Sequence, residues 1–270
     1  MSFGLPPVAG DNKLTYGSYL RVPDLIGLQA ELSDPRQHDE LLFIIIHQVY
    51  ELWFKQLLHE VDAVITHLDR DEPLGAQRLL RRCIEIQRVM IQQLRVLETM
   101  TPNDFLTFRD HLMPASGFQS AQFRALEFLS GLKDARHLEH YQEGGTEHAA
   151  LEKRLGGGTV LEAFYALLRR KGFDLPEGEQ GKEQRIQSLL RIYQNPDEHF
   201  PLYLLSEALV EYDEFFSLWR LHHVMMVERM IGAKPGTGGS EGVGYLRRTT
   251  ERKFFPELWE LRSYLSARSS

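Results

Sequence analysis

The chain is poor in cysteine, in excess basic charge and in long apolar runs, and each shortage removes a class of protein. Its one cysteine, Cys83, excludes an intramolecular disulfide framework and any cysteine-rich zinc or iron–sulfur centre. With 31 Lys+Arg against 38 Asp+Glu the formal net charge is −7, so nothing favours phosphate-backbone binding and no nucleic-acid partner is expected. The longest apolar run, Leu41–Ile46, falls far short of the roughly 20 residues a membrane span needs, so no membrane association is expected. The N-terminal MSFGLPPVAGDNKLTYGSYL has neither a basic start nor a long apolar stretch, so the expected location is cytoplasmic. Strand-type alternation of Val, Ile and Thr is missing, as is any repeat of fixed period.

Helical periodicity dominates instead. Between Asp39 and Leu68, apolar residues at Leu42, Ile45, Ile46, Val49, Leu52, Trp53, Leu57 and Val61 recur every three or four positions, which predicts a long helix with one apolar stripe. Leu74–Thr99 predicts a second, with Leu79, Ile86, Val89, Met90, Leu94 and Leu97 on its stripe. Thr101-Pro102-Asn103-Asp104 reads as a helix start, with a Thr cap, Pro at the first position and an early acid. Further helices are predicted at Phe105–Leu112, Phe118–Leu129, Val160–Arg170, Gln184–Tyr193, Leu202–Ile231 and about Pro256–Leu265. The charged segment Lys133–Gly158 reads either as loop or as helices separated by a turn, and Gly236-Thr237-Gly238-Gly239-Ser240 as a flexible loop. The expected fold is an all-α helical bundle, a single domain over residues 1–270 with an inserted helical segment at about 131–193.

A few residues could carry chemistry. His47 lies in FIIIHQVYELWF, the most apolar part of the chain, where its ring must find a partner or lose roughly 1–3 kcal/mol of solvation. It is either a core histidine bonded to a carbonyl or to Glu51, or an imidazole facing a cavity beside Phe43, which precedes it by one turn. His222 and His223 point about 100° apart on a helix and cannot do the same job. Trp219, Met226, Val227 and Met230 surround His223, the soft apolar setting of an axial haem ligand, though a core histidine beside a packing stripe has the same pattern and spacing does not exclude His222. No histidine follows a Glu by three residues and His-Glu-x-x-His is absent, so a helical carboxylate/His site with non-haem iron is the weaker alternative, with a non-catalytic interaction module behind it. Arg109, one turn after Phe105, could hold a carboxylate bidentately or pair with Asp104 or Asp110. Thr237, among glycines, could close over a ligand or sit in an ordinary loop.

Five blocks carry a resemblance. They are LTYGSYLRVPDLIGLQ (14–29), HDELLFIIIHQVYELWFKQ (38–56), TPNDFLTFRDHLMPASGFQSAQFRALE (101–127), WRLHHVMMVERMIG (219–232) and GTGGSEGVGYLRRT (236–249). In this order they resemble the tryptophan 2,3-dioxygenase family. The resemblance implies an all-helical homotetramer, a dimer of dimers, with one haem b per subunit active as Fe(II), converting L-tryptophan and O2 to N-formyl-L-kynurenine. It implies His223 as the iron ligand, and His47 as the catalytic residue accepting the indole N–H. Within the substrate-binding run Phe43, Ile44, Ile45, Ile46 and His47, it implies that Phe43 sandwiches the ring with Phe105. Arg109 would clamp the substrate carboxylate, Thr237 would close over the amino-acid end, and Ser116 and Gly117 would line the haem pocket. Residues 1–30 would contact a neighbouring subunit, Tyr16 and Tyr19 reaching its active site. Some members carry Tyr where this chain has Phe105, so no phenol hydrogen bond is implied there.

Overall fold

Four of the α-helix starts in this chain are set by short polar side chains. Thr15, Thr101, Ser120 and Thr159 each accept a hydrogen bond from a backbone N–H of the first turn, and at Thr101 and Thr159 the third helical residue, Asp104 or Glu162, returns the bond to the cap's own N–H. Each closed box satisfies two donors that a helix start otherwise leaves unpaired. A computed structural model describes residues 14–236 and 243–266. Two short helices, α1 (Tyr16–Leu20) and α2 (Val22–Leu25), precede the long α3 (His38–Asp69) and α4 (Pro73–Leu97). Next come α5 (Pro102–Phe108), α6 (Ala121–Ser130), α7 (Thr146–Gly156), α8 (Val160–Arg170) and α9 (Lys182–Gln194). The second 32-residue helix, α10 (Phe200–Ile231), is followed by α11 (Val243–Thr249) and α12 (Pro256–Glu260), and no strand occurs among the described residues. The all-α expectation holds.

The layout is a packed sandwich of long rods. Helix α4 lies between α3 and α10, and α6 and α8 pack on α3. The interior stripe of α3 is Ile46, Tyr50, Phe54, Leu57, Val61, Val64 and Leu68, all buried. This corrects the phase expected from sequence: Ile45 is 41% exposed and Leu52 also faces outward, because Tyr50 and Phe54 take the interior positions. On α4, Val89 is likewise exposed. Helix α3 is apolar on nearly every side, so periodicity alone could not choose its inner face, and its length and composition would also suit a membrane span. The Tyr50 hydroxyl donates to the Met90 carbonyl at 2.7 Å, and Gln93 Nε2 to the Ile46 carbonyl at 2.9 Å, which pins the register of α3 on α4.

Some boundaries moved: the helix expected at Phe105–Leu112 runs from Pro102 to Phe108, with Arg109–Leu112 a 3-10 turn. The helix expected from Phe118 begins at Ala121, because Gly117–Gln119 form a single 3-10 turn and Ser120 caps α6 proper. The uncertain segment 133–158 resolves into a 3-10 turn at Ala135–His140 and the true helix α7.

The C-terminal elements are clipped to α10 by Asp213, a fully buried side chain. Its Oδ2 accepts the N–H groups of Phe254 (2.9 Å) and Phe255 (3.2 Å) and the Trp259 indole N–H (2.9 Å). Asp213→Ala strands three donors and is expected to destabilise the fold by about 3 kcal/mol, whereas Asp213→Asn keeps an acceptor and should recover most of that loss. Denaturant unfolding of the three proteins measures the difference.

Candidate active site

The cavity of interest, about 260 Å³, is enclosed by α3, α5, α6 and α10 with the ends of α4 and α11. Its α3 wall comes from residues one turn apart, Phe43, His47, Tyr50, Glu51 and Phe54, which helical geometry brings onto one side. The Phe43 and His47 rings are 4.1 Å apart. The capping box at Thr101 aims α5 so that Phe105 stands 5.7 Å from Phe43, with Phe108 packed edge-on behind both. An aromatic slot beside an imidazole results.

The hydrogen bonds of His47 define its state. Nδ1 lies 2.7 Å from the Phe43 carbonyl, which can only accept, so Nδ1 carries the proton and Nε2 is left as an acceptor. His47 keeps accessible surface, but its ring is packed into the cavity wall beside Phe43, Tyr50 and Glu51. Burial therefore holds the pKa of His47 below its ordinary 6.5, although the Phe43 carbonyl and the Glu51 charge pull the other way. A neutral acceptor imidazole faces the slot.

On the other side, α10 presents His223. Burial pushes its pKa down to about 4, and protonation of His47 would lower it further, so the ring is neutral and its nitrogen lone pair is available. The ring lies parallel to Trp219 at 5.5 Å, and Met226, Val227 and Met230 share its wall of the cavity. Neither ring nitrogen has a hydrogen-bond partner among the described residues. His222 is exposed and is not part of the cavity, so of the two neighbours it is His223 that faces inward.

Arg109 follows α5 and enters the cavity at the Phe105 end. Its Nη2 donates to the Pro235 carbonyl at 2.6 Å, and its Nε is buried without a partner among the described residues. Asp104 is occupied by the Thr101 box, and Asp110, largely in solvent, stands 4.0 Å away. That loose contact does not neutralise a mostly buried guanidinium, which is consequently free to take a carboxylate.

Ser116 and Gly117 also line the cavity, so the structure brings together Phe43, His47, Phe105, Arg109, Ser116, Gly117 and His223. Ile44, Ile45 and Ile46 are not brought in: the helix turns them away, Ile46 into the core and Ile45 to the surface. Tyr16 and Tyr19 are 79% and 70% exposed and do not reach this chain's own cavity. Thr237 lies outside the described residues. Sequence reasoning missed a buried charge cluster on the wall, Arg124, Glu127 and Arg220. The available signal was Arg124-x-x-Glu127 set among Phe123, Leu126 and Phe128, a charged pair with apolar residues on all sides. Among the described residues no group of three or more His, Cys, Asp or Glu is arranged to hold a metal ion, so the carboxylate–histidine alternative has no ligand set there.

The family model for tryptophan 2,3-dioxygenase matches residues 7–155 and 169–265 of the chain. The chain is 51% identical over 265 residues to the tryptophan 2,3-dioxygenase of Nocardioides sp., an alignment covering 94% of this chain and 95% of that protein. It is 42% identical over 263 residues to the tryptophan 2,3-dioxygenase of Myxococcus xanthus, covering 94% and 90%. Against that of Caulobacter vibrioides the identity is 42% over 261 residues, covering 93% and 98%.

Proposed function

The chain belongs to the tryptophan 2,3-dioxygenase family, and we propose that it cleaves the indole C2–C3 bond of L-tryptophan with O2 to give N-formyl-L-kynurenine, the first step of the kynurenine route of tryptophan degradation. The observation that carries the reading at residue level is the pair of neutral imidazoles, His47 and His223, facing one apolar cavity with Arg109 at its edge.

The residues fit a haem b. A histidine whose proton affinity is low presents an unengaged nitrogen donor, and the surrounding Trp219, Met226, Val227 and Met230 are the flat, soft side chains that cover a porphyrin. His223 would hold the iron, and Ser116 and Gly117 would line the same pocket. When bound, the haem supplies the iron chemistry that oxygen activation requires.

The protein's own groups orient the substrate. The apolar slot between Phe43 and Phe105 takes the indole, His47 Nε2 accepts its N–H, and Arg109 holds the carboxylate. Two fixed ends leave the indole one pose, and such positioning is worth several kcal/mol of barrier. Nothing in this arrangement asks His47 to remove the indole proton.

The test is an assay of the purified protein with L-tryptophan and O2, reading N-formylkynurenine alongside the haem absorption spectrum. His47→Ala is expected to slow tryptophan turnover far more than that of 1-methyltryptophan, which has no N–H to donate; equal losses on both would defeat the hydrogen-bond role. Because burial lowers the His47 pKa, the acid-side fall in kcat/KM should be centred below the ordinary histidine value, where the imidazolium has no acceptor left. A fall already at neutral pH would point to another group. The reading includes a homotetramer in which residues 1–30 contact a neighbouring subunit. Exposure of Tyr16 and Tyr19, away from the chain's own cavity, supports that part. A cytoplasmic, membrane-free location completes it.

A further inference from the structure

Three charged side chains on the cavity wall are almost wholly withdrawn from solvent: Arg124 is 4% exposed, Glu127 1% and Arg220 3%. Glu127, on α6, is shared. Its Oε2 takes Arg124 Nη1 from the same helix at 2.5 Å, and its Oε1 takes Arg220 Nη2 from α10 at 2.8 Å. Two guanidinium charges thus meet one carboxylate, and one positive charge is left over. The Nε–H of each arginine is buried with no hydrogen-bond partner among the described residues.

Neighbouring groups do not cancel the surplus. His137 is held neutral, its pKa pushed down to about 4 by burial and by the Arg124 charge. Glu51 lines the cavity, but its Oε2 accepts Gln122 Nε2 and it makes no ion pair among the described residues. Asp213 is engaged by Phe254, Phe255 and Trp259. Arg220 Nη1 also donates to the Arg252 carbonyl at 3.3 Å, and otherwise the guanidinium planes meet ring faces, Phe118 and Phe123 for Arg124, Phe216 and Phe254 for Arg220. Those faces soften the burial but carry no net charge. An unbalanced buried cation is costly, and a cavity that opens onto it is a receptor for an anion.

We propose that the Arg124–Glu127–Arg220 triad binds a carboxylate of the porphyrin in this cavity, leaving Arg109 to the carboxylate of the amino acid. The inference rests on the haem reading above and assigns separate cations to the two acidic species the cavity must admit. Glu127 has a second task. By tying Arg220 to α6 it anchors α10 one turn before His223, so the charge site and the nitrogen donor are fixed by one contact.

The test compares haemin with its dimethyl ester, whose carboxylates are capped, in titrations of the full-length protein produced without haem. The readouts are Soret absorption and quenching of tryptophan fluorescence, neither of which depends on turnover. Wild-type protein is expected to bind haemin about 10- to 100-fold more tightly than the diester, the usual worth of a charged hydrogen bond. In R124Q and R220Q that preference should shrink to a few-fold, in R124K it should be largely kept, and in R109Q it should be unchanged. Equal affinity of the wild-type protein for haemin and diester overturns the triad assignment, and this comparison needs no variant to fold. An undiminished preference in both glutamine variants also overturns it. Failure of the folded wild-type protein to bind either porphyrin overturns the haem reading itself.

Discussion

Replacing Arg109 by alanine is expected to lower kcat/KM for L-tryptophan by about 10²- to 10³-fold, the cost of removing one partner from a desolvated charge pair. The haem spectrum should be retained, because nothing assigns Arg109 to the iron side of the cavity. The size of the effect follows from where the guanidinium sits. It is mostly buried, and among the described residues its one ion-pair contact is Asp110 at 4.0 Å and its Nε has no partner, so a substrate carboxylate would find a desolvated cation rather than a solvated one. The variant also removes the 2.6 Å bond to the Pro235 carbonyl. An analogue without the carboxylate separates the two consequences: if the clamp is the main role, tryptamine should be handled similarly by wild type and variant. Near-wild-type kinetics with tryptophan would remove the clamp from the mechanism.

His223→Ala should have the larger effect still. Loss of the nitrogen donor is expected to abolish the histidine-ligated haem spectrum and to reduce turnover by about 10³-fold or more. His222→Ala, one position away but pointing to solvent, should leave both essentially intact. Added imidazole offers a positive control, since the vacated space lies against the flat face of Trp219 and a free imidazole could re-enter it. Partial return of the spectrum would tie the defect to the missing ligand and not to a damaged fold. An unaltered ligation spectrum in His223→Ala would assign the iron to another donor.

How much of this was legible before the structure depends on how local the signal is. The Thr101 capping box is written in four consecutive residues, and it starts the helix that carries Phe105, with Arg109 in the 3-10 turn that follows. His47 and His223 stood out because a polar ring in an apolar run must be satisfied or useful, and both face the cavity. Phase was harder. Ile45 and Leu52 looked as suitable for the core as Tyr50 and Phe54, because α3 is apolar most of the way round and only its packing on α4 selects a face. Ile44, Ile45 and Ile46 were drawn into the expected substrate run by their place between Phe43 and His47, yet a helix cannot aim five consecutive side chains at one target. The Arg124–Glu127–Arg220 cluster was invisible for a different reason. Its partners are 93 residues apart, and an Arg and a Glu three residues apart on a helix ordinarily describe a wet surface.

The division of labour along α3 has a bearing on which lengths of this chain can survive. The stretch from Phe43 to Phe54 furnishes the cavity, while Leu57, Val61, Val64 and Leu68 are its footing in the core. Dropping a single residue between them, at Lys55 or Gln56, would swing the upper half against the lower by about 100°. Phe43 and His47 would then leave the slot together while every substrate contact in the primary sequence still read correctly. Tolerated insertions and deletions should therefore fall outside this rod, and a naturally shortened homologue missing one position there would be expected to have lost oxygenase chemistry even with both histidines present.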